Sequence, residues 1–217
     1  MPQHIFGENV EISDSAIIGK AYRPLLDGRR EPRSPVDVGN GVYIGDFVVV
    51  GSGVIVGDGT IVDDYCKIEP DVRIGRRNLL IYSALVCCDV VIGDDNVIGG
   101  FIGERTSIGN NNRLFGKVVH RQDDPSRPWD TAESAEGAPS IGNNCFIGFG
   151  AVVIGHVVLS DQSYVAAGAI VTKDVPSRHV VIGCNKKIPI DKWKGALSLS
   201  PIFRENPQIT PSPRDGI

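Results

Sequence analysis

The chain has 217 residues, with 26 Val and 24 Ile against 9 Leu and 1 Met, and 26 residues are Gly. β-branched side chains suit strands better than helices and glycine accompanies turns, so this composition excludes a helical bundle. The formal net charge of −4 excludes the overall basic field typical of a nucleic-acid-binding protein. No apolar run approaches the ~18 residues of a membrane span, and the N-terminus lacks the pattern of a secretory signal.

The five cysteines are an odd number. Cys87 and Cys88 are adjacent, a spacing that suits neither a redox Cys-x-x-Cys pair nor a zinc knuckle. The sequence therefore predicts reduced thiols and a cytoplasmic protein, with no bound metal, no nucleic-acid partner and no membrane partner.

An aliphatic residue recurs at every sixth position along most of the chain. A first fragment, Phe6, Ile12 and Ile18, is followed by Val38, Ile44, Val50, Val56, Val62, Ile68, Ile74, Leu80, Val86, Ile92 and Ile98. After a step of four residues the pattern continues at Ile102, Ile108 and Leu114, and after an insertion at Ile141, Ile147, Val153, Leu159, Val165 and Val171. Gly follows 11 of the 20 positions from Val38 onward, and Ala, Cys, Ser, Thr or Val stands four places after 16 of them.

This period predicts a solenoid in which each unit is a short strand followed by a corner. The aliphatic residue and the small residue point inward, and glycine permits a positive φ or a close approach of two backbones. Three units form a triangular coil, and seven to eight coils about 4.8 Å apart form a prism about 35 Å long. The predicted β-helix domain spans 1–183 with inserted loops at 22–35 and 121–139. The segment 184–217 lacks the period: 190–197 suits a short helix, and a Pro-rich tail follows.

Two asparagines, Asn78 and Asn96, occupy the small inward position one coil apart, so their side chains are expected to stack as an amide ladder. Asn112 joins this ladder only if the short step after Ile98 removes two residues from a coil. If the chain bulges outward there instead, Val118 takes the place.

The repeat resembles that of the bacterial hexapeptide-repeat transferases, whose fold is a left-handed parallel β-helix. The resemblance therefore implies an all-β fold with a left-handed path. From 114 to 188 the order of motifs is similar to that in acetyltransferases of the thiogalactoside, maltose and xenobiotic type. A His opens a loop, the chain returns through 141–148 (IGNNCFIG), and 167–176 (AGAIVTKDVP) follows.

His120 is the leading catalytic candidate. It follows Leu114 by one step of the period, where another aliphatic residue is expected, and it directly precedes the long loop. An imidazole can accept a proton near neutral pH, although a lone loop histidine is more often simply solvated. The resemblance implies that His120 is the general base that deprotonates a hydroxyl or amine for attack on acetyl-CoA.

The resemblance also implies a homotrimer that binds acetyl-CoA, as co-substrate, between neighbouring subunits. The positions that match cofactor-binding residues of the family are Phe149, Ala167, Thr172, Lys173, Lys186 and Lys187. Two departures from the family pattern lie near this expected cleft. Gly183-Cys184-Asn185 replaces a segment that usually contains proline, and Gly155-His156 replaces a Pro-Gly corner.

The two inserted loops differ in charge and therefore suggest different kinds of acceptor molecule. Residues 121–139 contain five acidic and two basic side chains, a net charge of −3, which suits a cationic or polyhydroxyl acceptor such as an amino sugar. Asp123 or Asp124 either contacts the acceptor or orients His120, and Trp129 either covers a ring or the pantetheine arm or packs on a neighbouring subunit. Residues 20–33 carry a net charge of +3, which suits an anionic acceptor such as a nucleotide-linked sugar.

These observations predict an acetyl-CoA-dependent acetyltransferase that acts on a hydroxyl or amine of a small sugar-like or antibiotic-like acceptor. Two alternatives stay open. A non-catalytic scaffold or binding module can use the same helix. A metalloenzyme similar to the γ-class carbonic anhydrases is less favoured, because such a zinc site needs three histidines, two of them close in sequence, whereas this chain has only His4, His120, His156 and His179.

Overall fold

A computed structural model describes residues 3–21, 34–120, 137–194 and Phe203. The described strands are, in chain order, β1 (Ile5–Phe6), β2 (Glu11–Ile12), β3 (Ile17–Lys20), β4 (Asp37–Val38), β5 (Tyr43–Ile44), β6 (Val49–Gly51), β7 (Ile55–Val56), β8 (Ile61–Val62), β9 (Lys67–Ile68), β10 (Arg73–Ile74), β11 (Leu79–Leu80), β12 (Leu85–Val86), β13 (Val91–Ile92), β14 (Val97–Ile98), β15 (Phe101–Ile102), β16 (Ser107–Ile108), β17 (Arg113–Leu114), β18 (Lys117–Val119), β19 (Ser140–Ile141), β20 (Phe146–Ile147), β21 (Val152–Ile154), β22 (Val158–Leu159), β23 (Tyr164–Val165), β24 (Ile170–Val171), β25 (His179–Ile182) and β26 (Lys186–Pro189). A single 3-10 turn, Ile190–Lys192, follows them within the described residues.

Consecutive strands belong to different sheets. Sheet A contains β1, β4 and every third strand to β22, sheet B contains β2, β5 and every third strand to β23 and then β25 and β26, and sheet C contains β3, β6 and every third strand to β24. Three consecutive strands therefore make one coil, and β1–β24 make coils 1 to 8. We name the corners by the sheets that they join: the A–B edge, the B–C edge and the C–A edge. The predicted all-β fold, a parallel β-helix, is confirmed within the described residues.

Two residues of each repeating unit point into the prism. In coil 2 they are Ile44 and Val48, and both are fully buried. The strand residue before each aliphatic position points outward, as Tyr43 does with 41% of its surface exposed. Because the triangular interior has room for one large and one smaller side chain per unit, branched Val and Ile dominate the composition.

Glycine after the aliphatic position serves the close approach of neighbouring coils. A Cβ on Gly109 would lie 2.7 Å from the carbonyl oxygen of Gly142 and 2.7 Å from Oδ1 of Asn143, both in coil 7. The positive φ of this corner occurs two residues later, at Asn111, where φ is 59°. Glycine was expected here for a positive φ or for a close approach of two backbones, and at Gly109 the close approach is the reason.

The short step after Ile98 removes two residues from coil 5, so Asn112 joins the predicted amide ladder. Oδ1 of Asn78 accepts hydrogen bonds from N and Nδ2 of Asn96 at 2.9 and 3.0 Å. Oδ1 of Asn96 accepts from N and Nδ2 of Asn112, both at 2.9 Å. Oδ1 of Asn112 accepts from N of Cys145 at 2.6 Å. All three asparagines are buried, so this ladder satisfies polar groups that water does not reach.

The C-terminal part of the described chain differs from the prediction. Strand β26 runs antiparallel to β25, whereas the other paired strands run parallel. The expected helix at 190–197 is a 3-10 turn of three residues, Ile190–Lys192, and 195–197 lie outside the described residues. Ile190 and Phe203 pack on Val180 of sheet B, which leaves that end of the sheet covered. In the described segments no helix has the length and apolarity that a membrane crossing needs.

The ladder predicts that replacing a buried asparagine costs much more stability than replacing an exposed asparagine that makes the same kind of hydrogen bond. Asn96→Ala leaves the N–H and Nδ2 of Asn112 buried without their acceptor, so we expect a loss of about 2–4 kcal/mol in the free energy of unfolding. The matched control is Asn110→Ala at the exposed A–B edge, where Oδ1 of Asn110 accepts from N of Asp94. Water replaces that acceptor, so we expect a loss below about 1 kcal/mol. Urea denaturation of both variants measures the difference, and equal losses would contradict the explanation.

Candidate functional site

Strand β18, which precedes the long loop, is paired on both sides, with β15 and with β21. The step from Leu114 to Val118 is again four residues, and both side chains are fully buried. The six-residue count placed the next inward position at His120. That expectation is wrong, because Val118 occupies the inward position instead. The physical reason is a short corner at Gly116, where a Cβ would lie 2.5 Å from the carbonyl oxygen of Ala151.

His120 lies at the C–A edge of coil 6, where the chain leaves the prism, and its side chain is half-buried. Continuing the strand register places Glu104 of coil 5 on one side of it and Gly155 of coil 7 on the other. The N–H of Gly155 donates to the carbonyl of the residue before His120 at 2.9 Å. A Cβ on Gly103 would lie 3.3 Å from the backbone nitrogen of His120. The backbone at His120 is thus fixed between two neighbouring coils.

The C–A edge that leads to His120 is acidic. Asp71, Asp89 and Glu104 follow one another at the corners of coils 3 to 5. Burial raises the pKa of Asp89 above its ordinary value, the neighbouring Asp71 adds to this effect, and Arg105 opposes it. Glu104, the acidic residue nearest His120 on this edge, is paired with Arg105 of the same corner at 4.0 Å.

Thr172 and Lys173 lie at the same C–A edge as His120, two coils further along, and both are exposed. Asn185 holds Thr172 in place: its Oδ1 accepts from the backbone N of Thr172 at 2.8 Å, and its Nδ2 donates to Oγ1 of Thr172 at 2.8 Å. Asn185 is one of the departures from the family pattern. No period relates Asn185 to Thr172, so the six-residue repeat does not predict this contact.

Phe149 and Ala167 lie instead at the B–C edge, in coils 7 and 8. Phe149 is 68% exposed and stacks on Phe115 of coil 6, with ring centroids 5.0 Å apart. Its carbonyl oxygen accepts from N of Gly168 at 3.0 Å. A Cβ on Gly148 would lie 2.7 Å from N of Ala167, so these two corners are tightly stacked.

Lys186 and Lys187 belong to β26, where they pair with Ile182 and Val181 of β25. Lys186 is exposed and Lys187 is half-buried. Both lie at the last strand of sheet B, beyond the final complete coil. A row of lysines on an edge strand also discourages pairing with other strands.

The predicted site residues are therefore not all brought together within one chain. His120, Thr172 and Lys173 share the C–A edge, whereas Phe149 and Ala167 share the B–C edge, and sheet C lies between the two edges. The predicted acceptor residues Asp123, Asp124 and Trp129 lie outside the described residues.

The loop 22–35 leaves the prism at the same C–A edge, between coils 1 and 2. Of this loop, 22–33 lie outside the described residues, and Ser34 and Pro35 lead into β4. This exit point is five coils from His120, about 24 Å along the axis at the usual strand spacing.

Four of the five thiols are unsuited to nucleophilic catalysis. Burial raises the pKa of Cys87, Cys88 and Cys145 to about 12 in each case. Burial likewise raises the pKa of Cys66 to about 11. Because the thiolate is the reactive form, these four groups are protonated near neutral pH. Within the residues that the structure describes, no three His, Cys, Asp or Glu side chains are grouped to hold a metal ion.

Comparison with known proteins finds acyltransferases. The chain is 29% identical over 151 residues to a UDP-3-O-acylglucosamine N-acyltransferase of Delftia acidovorans, which covers 66% of this chain and 38% of that protein. It is 27% identical over 128 residues to a serine acetyltransferase of Bacillus subtilis, which covers 59% of this chain and 49% of that protein. The chain thus spans less than half the length of these curated relatives.

Among solved structures, a UDP-N-acetylglucosamine acyltransferase from Campylobacter jejuni is similar at a TM-score of 0.49 and 16% identity, over 82% of this chain and 73% of that chain. No protein-family model matches the chain.

The thiol environments predict selective labelling by a thiol reagent. At pH 8 a thiol of pKa about 12 is only about 10⁻⁴ thiolate, so Cys87, Cys88 and Cys145 should react slowly in the folded protein. Exposed Cys184 should react at once. Ellman's reagent is expected to count one fast thiol in the native protein and five in denaturant. Raising the pH should speed the slow thiols, since it increases their thiolate fraction. Fast native labelling of Cys87 would contradict this.

Proposed function

Because the chain is homologous to hexapeptide-repeat acyltransferases, we propose that it transfers an acetyl group from acetyl-CoA to a hydroxyl or amine of a small, sugar-like acceptor. His120 is the general base. The observation that carries this proposal is its place: the histidine follows a strand paired on both sides and stands where the chain leaves the prism. A reactive group on a rigid scaffold beside a long loop is a common arrangement in active sites.

The chemistry needs only proton transfer and orientation. The imidazole of His120 takes the proton from the acceptor hydroxyl or amine as the acceptor oxygen or nitrogen attacks the thioester carbon. The tetrahedral intermediate collapses, the carbon–sulfur bond breaks, and the imidazolium returns its proton to the CoA thiolate. The products are the acetylated acceptor and free CoA, and no oxidant, reductant or metal takes part.

The acceptor class follows from the relatives. One relative is named as an N-acyltransferase of a UDP-linked glucosamine and another as a serine acetyltransferase. These names support a small acceptor with a hydroxyl or amine and leave amino sugars, nucleotide-linked sugars and antibiotics as candidates. Glu104 stands next to His120 but is paired with Arg105 at 4.0 Å, so local charge does not favour one of these candidates over another.

Acetyl-CoA is proposed to bind between neighbouring subunits of a homotrimer. Thr172 and Lys173 share an edge with His120, but Phe149 and Ala167 lie at the other edge of sheet C. A neighbouring copy that presents its B–C edge to the C–A edge of the first would complete the set. Lys186 and Lys187 would then supply positive charge for the phosphates of CoA.

The base assignment is tested by His120→Ala. We expect CoA release from acetyl-CoA to fall by about 10²–10⁴-fold in the variant, because general-base catalysis contributes about that much. CoA is quantified by chromatography during a screen against amino sugars, nucleotide-linked sugars and antibiotics. Unchanged turnover in a folded variant would overturn the assignment. Failure of the wild-type protein to bind CoA in calorimetry would favour the scaffold alternative.

Sharing of the site between subunits is tested by mixing two inactive variants. His120→Ala removes the base, and Ala167→Arg places a long side chain on the exposed B–C corner. After co-refolding at equal amounts, about a quarter of the interfaces pair an intact His120 with an intact Ala167, so we expect about a quarter of wild-type activity. Each variant refolded alone is the control. Activity no higher in the mixture than in the controls would place the whole site within one chain.

A further inference from the structure

The B–C edge of coils 2 to 4 carries three exposed aromatic rings, one in each coil. Phe47, Tyr65 and Tyr82 are 57%, 52% and 64% exposed. The rings of Phe47 and Tyr65 are stacked with their centroids 5.1 Å apart, and those of Tyr65 and Tyr82 meet edge to face at 5.4 Å. The three rings therefore form one continuous strip along the edge, which we name the aromatic ridge.

The folding of the chain does not account for the rings of Phe47 and Tyr65. Both residues have a positive φ, of 54° and 59°, a conformation that bulky side chains disfavour. Asparagine takes the same corner position in other coils, as Asn111 and Asn144 do with φ of 59° and 56°. Aromatic side chains that neither fill the core nor suit their backbone indicate contact with another surface.

The ridge is flanked by negative charge. Asp46, Asp63 and Asp64 lie at the same corners, and the described B–C corners of coils 2 to 4 contain no Lys or Arg. Oδ1 of Asp64 accepts from N of Asp46 at 2.7 Å, which fixes that carboxylate at the edge. Lys67 on the adjoining strand is already paired with Glu69 at 2.8 Å. The ridge therefore fits a surface that brings positive charge and stacks on rings, as arginine does.

The segment 20–33 of this chain has the complementary charge. It contains five basic and two acidic side chains, four of the basic ones arginine, for a net charge of +3. Residues 22–33 lie outside the described residues, but the residues at its ends, Lys20 and Ser34, lie at the C–A edge between coils 1 and 2. In the arrangement proposed above, this edge faces the B–C edge of the neighbouring copy. In a threefold assembly equal coils stand at equal height, so these ends are level with the start of the neighbour's aromatic ridge.

We propose that the segment 20–33 of one copy docks on the aromatic ridge of the neighbouring copy, with its arginines against the rings and beside Asp46 and Asp64. The inference rests on the subunit arrangement of the proposed function. The ridge spans two coil spacings, about 10 Å, and seven extended residues reach about 23 Å, so the segment is long enough to cover it and return. Its positive charge then serves assembly, not the recognition of an anionic acceptor.

The rings are tested by a variant that suits the local backbone. In Phe47→Asn/Tyr65→Asn the new side chains fit the positive φ, so we expect the fold to persist by circular dichroism. We expect the trimer to dissociate at about tenfold higher protein concentration than wild type in sedimentation velocity, because the stacking surface is lost. Association equal to that of wild type in this folded variant would overturn the inference.

The charge is tested by replacing a carboxylate with its amide. Asp64→Asn keeps the oxygen that accepts from the backbone and removes the charge, so we expect association to weaken about threefold and to lose part of its salt dependence. The matched control is Asp58→Asn at the A–B edge, where Oδ1 accepts from a backbone N in the same way at 2.8 Å. It should leave association unchanged. Equal losses in the two variants would overturn the inference.

The contact itself is tested by photo-crosslinking. Tyr82→p-benzoylphenylalanine places the reactive group on the ridge, and equal amounts of unlabelled and ¹⁵N-labelled copies are refolded together. We expect cross-links from the ridge to residues 20–33, and about half of them should join one light and one heavy peptide, since neighbours mix at random. Pairs of like label alone would place the segment on the ridge of its own chain. That result, or the absence of cross-links to 20–33, would overturn the inference.

These measurements need no acetyl-CoA, so they separate the inference from the proposed activity. Mixed cross-links in a protein that releases no CoA from acetyl-CoA would support the docking of the segment and overturn the activity. Release of CoA by wild type, together with unchanged association of the ridge variants, would overturn the docking and leave the activity intact.

Discussion

The stacking distance between successive coils, about 4.8 Å, is the constraint on which the rest of the structure depends. It requires glycine wherever a corner would otherwise push a Cβ into the coil above, as at Gly109. It also places each inner side chain directly over its counterpart, which allows asparagine in an aliphatic core: Asn78, Asn96 and Asn112 satisfy one another because the spacing matches an amide ladder. The coil spacing therefore determines both where glycine is required at the corners and which polar side chains can be buried.

Two short corners at the B–C edge then shift the register of the chain that follows them. The steps from Ile98 to Ile102 and from Leu114 to Val118 each save two residues, yet every coil still closes because Gly100 and Gly116 allow a tighter turn. The second step moves His120 from an inward position, where the core would enclose it, to the outer corner. A small local change in chain length thus separates a fully buried position from a half-buried one at the edge of the prism.

The six-residue period predicted the strands and the inward residues, because each unit repeats the same local rule and errors do not accumulate within a regular run. It did not predict the place of His120, because a strict count of six misses the second four-residue step, from Leu114 to Val118. Contacts without a period were also missed. Asn185 holding Thr172, and Gly137 resting on His156, join segments that no repeat relates. Strand β26 was missed for the same reason.

The antiparallel strand β26 closes one end of sheet B, where a parallel strand would otherwise be exposed. A parallel coil offers the next coil a ladder of backbone groups in the same order, so a bare parallel end is a template for another coil or another molecule. Strand β26 runs the opposite way and carries Lys186 and Lys187 with Pro189, which has no N–H. A further parallel coil would meet donors and acceptors in a different order and positive charge besides. The last strand of sheet B therefore resists pairing with a further parallel coil.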